Sequence, residues 1–351
     1  MVAWWNTHRC GPIGVDIGSH CVKLLQFNAD SSKVREAARW DLAAGPDTPA
    51  EDRDEQVVAA LARAREGRDF RGRKAVFCLG AGQLFVQNIR VSQVPGPELQ
   101  RVVQAEAAGR LPFAAGEAEI RFIDVADVRQ GEASRREVVL LACHRPLIDR
   151  LLGIAERASL EVAAIEVEPV AVLRSYVKQF RRQEDQQQRM MYVNIGAAST
   201  VVVIAQGMEV RFVKYIDVGG RHFDQAVARH LQMRLPEASA LRRHNGDRRV
   251  DQRDPEITRS IAESVHPVME QLAGEVSMCV RYYSVTFRGQ PLARAILSGG
   301  EATESLAEWL QSRLDLAFEV GDPLRSFEKP TLAGRNAQWD VAAGLALCET
   351  S

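Results

Sequence analysis

A chain of 351 residues is long enough for two domains or one large bilobed body, and 46% hydrophobic with 26% charged residues is ordinary for a globular protein. A formal net charge of -1 gives no global reason to expect nucleic-acid binding. The 6 cysteines are scattered without a Cys-x-x-Cys pair, which argues against a zinc site or a disulfide framework and fits a reducing compartment.

The first residues lack a charged start followed by an apolar core, and no apolar run is long enough to span a bilayer, so membrane association is expected only indirectly or at the periphery. Trp4-Trp5 is read as packing back onto the first lobe; the other reading is contact with a membrane interface or a partner. Ile13 to Phe27 alternates apolar residues around the polar knot Asp16-Ile17-Gly18-Ser19-His20, which predicts strand, tight turn, strand. Gly18 permits a close turn, successive amides there form an anion-binding concavity, and Asp16, Ser19 and Lys23 have the chemistry for a hydrated metal ion and phosphate. Taken alone, the stretch is equally a plain hairpin with a glycine in its turn.

Ser31 to Trp40 reads as an edge strand, Gly45 to Asp54 as a polar loop, Glu55 to Glu66 as an amphipathic helix and Lys74 to Leu79 as a buried strand. Gly80-Ala81-Gly82 is a turn and not a dinucleotide fingerprint, since Phe85 stands where the third glycine would be, and no Walker-type Gly-Lys-Ser/Thr loop occurs. Leu84 to Val91 is a strand, Glu98 to Leu111 a helix stopped by Pro112, Ile120 to Val128 and Glu137 to Cys143 strands around a polar turn, and Leu147 to Ala158 a helix. Residues 86–164 are therefore expected to form a compact unit that interrupts the first lobe.

Phe180 to Arg189 is read as a polar crossing to the second lobe. Tyr192 to Val203 repeats the strand, small-residue turn, strand pattern, with Asn194, Gly196, Ala197 and Thr200 in and around the turn. Gly219-Gly220 opens a helix to about Met233, and Arg242 to Asp254 is read as a solvated loop because acids alternate with arginines. From Ile257 to Tyr283 apolar residues recur at helical spacing, a long core helix with Pro267 inside it. Leu292 to Leu297 is a strand ending at Ser298-Gly299-Gly300, Thr303 to Leu314 a helix, Ala317 to Val320 a last strand and Asp340 to Leu347 a final helix.

Two such hairpins followed by a Gly-Gly loop, in this order over nearly the whole chain, resemble the actin-like ATPase superfamily. Gln104 to Phe113 is similar to part of the small inserted subdomain of the PilM family, cytoplasmic actin-like components of type IV pilus assembly that share this insertion with FtsA. Ala163 to Leu173 is similar to that family's connecting helix, and Asp340 to Leu347 to its final helix. The resemblance implies an α/β, bilobed actin-like ATPase (ribonuclease H-like) fold with an FtsA/PilM-type (SHS2-like) insertion. It divides the chain into a first lobe at 1–85, the insertion at 86–164, a connecting helix at 165–188, a second lobe at 189–332 with an upper part near 219–290, and a returning C-terminal helix at 333–351.

The resemblance further implies ATP or ADP with Mg²⁺ in the cleft. Asp16 would hold the ion through water, and Glu168 would orient a water, unless it is only a carboxylate favoured at a helix start. Gly18, Ser19, His20, Lys23, Asn194, Gly196, Ala197, Thr200, Gly219, Gly220, Glu275, Ser298, Gly299 and Gly300 would line the nucleotide. It implies a partner as well, the cytoplasmic peptide of a PilN-type inner-membrane protein, docked between the first lobe and the insertion, and a cytoplasmic location at the inner membrane.

Three departures from the family pattern stand out. Asn194 replaces the usual aspartate, which predicts weak Mg²⁺ coupling and at most a slow ATPase. Ser277, Met278 and Cys279 replace arginines and a serine on the helix read as adenosine-side, leaving Glu275 for the ribose or base. Glu301 follows Gly300 where small residues are frequent and is expected to crowd the base or repel phosphate. The alternatives are a degenerate, nucleotide-independent adaptor of a pilus or type II secretion machine, a true ATPase or small-molecule kinase, and an FtsA-like division protein. The last is disfavoured because the sequence stops directly after the final helix.

Overall fold

The computed structural model describes residues 10–43, 48–180 and 187–349. Trp4 and Trp5, and residues 181–186 of the crossing, lie outside them. Two five-stranded sheets have the same topology. The first contains β1 (Ile13–Ile17), β2 (Cys21–Phe27), β3 (Val34–Asp41), β4 (Lys74–Leu79) and β8 (Glu161–Val167), in the order β3-β2-β1-β4-β8. The second contains β9 (Arg189–Ile195), β10 (Thr200–Gln206), β11 (Glu209–Ile216), β12 (Arg294–Ser298) and β13 (Phe318–Val320), in the order β11-β10-β9-β12-β13. In each, an antiparallel meander turns into two parallel pairings. The apolar alternation in both hairpins carries these sheets: Val15, Val22, Leu24, Val193, Val201 and Val203 are all buried.

The third sheet, β5 (Leu84–Ser92), β7 (Ala133–His144) and β6 (Ala118–Gln130), is antiparallel in the order β5-β7-β6. Alternation in β7 gives it two faces. Val138 and Leu140 pack with Leu99, Val103 and Ala107 of α2 (Gly96–Ala108), while Val139, Leu141 and Cys143 join the main core with Val210 and Phe212 of β11.

Several expected boundaries are corrected. Helix α1 spans Ala50–Arg65, so the loop expected from Gly45 to Asp54 gives way at Ala50; Glu51 and Asp52 in its first turn suit the helix dipole, which apolar spacing alone does not register. Helix α3 (Arg145–Arg157) packs on α1 through Arg150, which donates to Asp54 at 2.6 Å, and β8 pairs with β4 of the first sheet. The inserted sheet thus ends at His144, and residues 145–164, expected to belong to the insertion, sit on the first lobe. Of Ala163 to Leu173, the part up to Val167 is strand; the helix there is α4 (Glu168–Val177). Arg242 lies in helix α6 (Leu235–Asp247), not in a loop. That helix packs with α5 (Gly220–His230) and the long α7 (Pro255–Thr286), and α8 (Glu304–Leu314) follows β12.

The last helix, α9 (Asp340–Ala346), returns to the first sheet. A Cβ on Gly344 would lie 1.8 Å from the carbonyl oxygen of Ala171 in α4, and one on Gly14 of β1 would lie 2.1 Å from that of Ala342. Glycine at both positions is what lets α9 lie against β1 and α4. Trp339, Ala342, Ala343 and Ala346 close a cluster with Leu25, Phe27 and Val34.

Candidate functional site

Asp16, Asn194 and Ser298 stand at or next to the carboxyl ends of β1, β9 and β12, where open α/β sheets bind ligands. The two hairpin turns are built alike. The Gly18 amide donates to the Cys21 carbonyl at 3.0 Å, and the Gly196 amide to the Ser199 carbonyl at 2.9 Å. Ser19 and Ala198 are exposed at the tips.

Register explains the centre of the site. Asp16 lies opposite Lys23 across β1 and β2, so the two side chains form an ion pair. Burial opposes a charge on Lys23, yet Asp16, with Asp340 further off, outweighs it and holds the ammonium protonated well above its usual range. Asn194 occupies the position in β9 that Asp16 occupies in β1, and its amide donates to Asp340, the first residue of α9. The other oxygen of Asp340 accepts from the Val341 amide at 2.8 Å. Asp340 is 1% exposed, and burial raises its pKa. Ser298 ends β12 directly opposite Asn194 and is fully buried.

Glu168 begins α4 on the first lobe and accepts from the Tyr215 hydroxyl of the second lobe at 2.9 Å. Burial pushes this carboxyl up to about 7, and Asp16 and Asp340 push the same way. Gly80 leaves the space: a Cβ there would stand 3.1 Å from Oε2 of Glu168.

The structure gives other expected ligands structural work. The Thr200 hydroxyl donates to the Val218 carbonyl at 2.7 Å. The Gly219 amide meets Nδ1 of His222 at 3.1 Å, and the Gly220 amide donates to Gly196 at 3.0 Å, which clamps the second hairpin. Glu275 is bonded by Lys214 of β11 at 2.8 Å. Gly299 has φ +88, and a Cβ on it would stand 2.4 Å from the Ile195 carbonyl, so only glycine fits there.

Glu301 does not stand alone. Arg242 donates to it at 2.7 Å and to Asp224 at 2.6 Å, all three being largely buried. Burial alone would raise Glu301, but Arg242 outweighs it and holds the carboxyl below the usual range. His20 on the first hairpin is lowered by burial and by Arg243. Sequence reading missed Asp340, Tyr215 and Arg242. The available signals were an aspartate heading a helix of small residues, and an arginine on the same helix face as Ala238.

Among the described residues no group of three or more His, Cys, Asp and Glu could hold a metal ion by itself. Asp16, the carboxylate expected to hold such an ion through water, is paired here with Lys23.

The profile of the family described as type IV pilus assembly protein PilM matches residues 14–350. The chain belongs to the PilM family. A chain of the PilM-PilN type IV pilus biogenesis complex superposes with a TM-score of 0.78 at 21% identity, covering 97% of this chain and 98% of that one. The ethanolamine utilization protein EutJ from Carboxydothermus hydrogenoformans gives 0.57 at 16% identity, covering 96% and 89%. MreB 5 of Spiroplasma citri, in a structure bound to AMPPNP, gives 0.51 at 10% identity, covering 95% and 93%. These likenesses establish the actin-like ATPase fold. No protein of curated function matches by sequence. No helix among the described residues is long and apolar enough to cross a membrane.

Proposed function

We propose that this PilM-family chain is a cytoplasmic actin-like scaffold of type IV pilus assembly. It holds ATP or ADP between its lobes and binds the N-terminal cytoplasmic tail of a PilN-type inner-membrane protein, through which it sits at the membrane. The observation that carries the reading is the near full-length likeness to a chain of the PilM-PilN complex, together with the family match.

In this reading the hairpin tips at Ser19, His20 and Ala197 offer amides to phosphates, and Lys23 lies behind them as a fixed positive charge. Asp16 would hold Mg²⁺ through water; when bound, the ion would neutralise phosphate charge. Asn194 accepts a hydrogen bond but brings no charge, and its amide is committed to Asp340, so hydrolysis is slow or absent. The nucleotide then fixes the angle between lobes more than it is consumed.

Titrating a synthetic PilN-type tail into the intact protein tests the scaffold role. Binding at micromolar concentration is expected, and no binding there overturns it.

A second reading, a nucleotide-independent adaptor, is favoured by one observation. Asp16 with Lys23, Asn194 with Asp340, and Glu301 with Arg242 already satisfy one another.

A further inference from the structure

The inserted sheet leaves and rejoins the first lobe through β4 and α3, but its free face rests on the second lobe. Its Val125, Val139 and Leu141 share a core cluster with Val210 and Phe212 of β11. The edge strand β11 is thus covered by the insertion and not left open.

Polar contacts fix this seating at specific places. The side-chain amide of Asn88 on β5 behaves like a short piece of strand. Its Nδ2 donates to the Val213 carbonyl at 2.7 Å, and its Oδ1 accepts from the Val213 amide at 3.4 Å. A second contact joins two irregularities. The register of β6 against β7 shifts between Asp124 and Ala126, which leaves Val125 unpaired. The register of β11 against β10 shifts so that Arg211 is the extra residue. The Arg211 guanidinium donates to the Val125 carbonyl at 2.8 Å, so the extra residue of one bulge bonds the unpaired residue of the other.

A third contact reaches α7. Glu137 on β7 is fully buried and accepts from Arg90 at 2.8 Å and from the Tyr282 hydroxyl, while Arg90 also donates to Thr286 at 3.0 Å. A buried carboxylate bonded from both bodies resists separation, because parting them would leave the charge incompletely paired.

We infer that the insertion moves with the second lobe as one body. Closure of the lobes then opens or narrows the groove between the insertion and the first lobe. Occupancy of the cleft is thereby linked to docking of a peptide in that groove. The link to peptide docking rests on the proposed scaffold reading; the joint motion does not. Thermodynamic linkage makes the effect reciprocal, so a bound peptide shifts nucleotide affinity by the same factor.

The test measures three spin-label distances in the intact protein. Labels go on exposed Glu132 in the insertion, Glu308 in the second lobe and Asp52 in the first, attached through non-native ketone side chains because the chain has 6 cysteines. Lobe angle is perturbed with ATP plus Mg²⁺ and, separately, by Tyr215→Phe, which removes the bond to Glu168.

The expected result is an unchanged, narrow distance between insertion and second lobe, while both distances to the first lobe shift together. Asn88→Ala, or Arg211→Ala should the first variant fold poorly, broadens the fixed distance. A constant insertion-to-first-lobe distance with a varying insertion-to-second-lobe distance overturns the inference, as do three distances that never change. A protein indifferent to ATP, in which Tyr215→Phe still moves insertion and second lobe together, keeps this inference and removes the nucleotide reading. Where ATP does bind, peptide affinity should differ about fivefold between the two states in the unaltered chain, and the difference should vanish in Asn88→Ala.

Discussion

Tyr215 of the second lobe donates its hydroxyl to Glu168 of the first lobe at 2.9 Å. The bond joins the edge strand β11 to the first turn of α4, two elements that no strand pairing connects. It places a carboxyl among Asp16, Asp340 and Tyr215, where burial holds its pKa near 7.

That environment predicts a pH-dependent cost. The folded chain keeps a proton on Glu168 between pH 4.5, the ordinary value, and about 7, while the unfolded chain has released it. Stability contributed here therefore falls as pH rises through that window, by roughly 3 kcal/mol in full. Glu168→Gln keeps an acceptor for Tyr215 without the charge. Urea unfolding should show it more stable than the unaltered chain by roughly 2 kcal/mol at pH 8, with the gap closing below pH 5.

Arg242→Ala leaves Asp224 and Glu301 without their shared cation in a buried position. The expected loss is about 3–5 kcal/mol in urea unfolding at pH 7. Because Glu301 is held below its ordinary value, its share of the stabilisation is present above that value and fades as pH falls through the lowered one. The difference between variant and unaltered chain should accordingly shrink in acid.

Helix α9 depends on bare backbone. Gly344→Ala would drive a methyl into the Ala171 carbonyl, and α9 carries Asp340 into the site. About 3 kcal/mol of destabilisation is expected by chemical unfolding. Loosened seating of Asp340 should also free the Asn194 amide, seen as a shifted side-chain resonance in NMR.

The hairpins were legible because apolar alternation around a small polar turn has few other meanings, and Ile13 to Phe27 and Tyr192 to Val203 fold as that pattern requires. The long helix to Thr286 was legible through its spacing. What escaped was tertiary override. Arg242 sits in a charge-dense run that reads as solvent, and only the packing of α6 against α5 brings Asp224 to it. Asp340 looks like a favourable first-turn acid, and its second role needs β9 alongside. The end of the insertion was misplaced because α3 has an apolar stripe that suits either neighbour; the Arg150 to Asp54 pair assigns it to α1. The roles expected of Glu275 and Thr200 came from resemblance; here their side chains bond Lys214 and the Val218 carbonyl.

The most direct measurement of the cleft is thermal unfolding of the intact protein with no ligand, with ATP plus Mg²⁺, and with ATP plus EDTA. A ligand at a hundredfold excess over its dissociation constant adds about 2.7 kcal/mol. ATP is expected to raise the unfolding temperature, more when Mg²⁺ is present, and the rise is lost in Lys23→Ala. An unfolding temperature that millimolar ATP leaves unmoved, with or without the metal, would contradict nucleotide binding and leave the adaptor reading in its place.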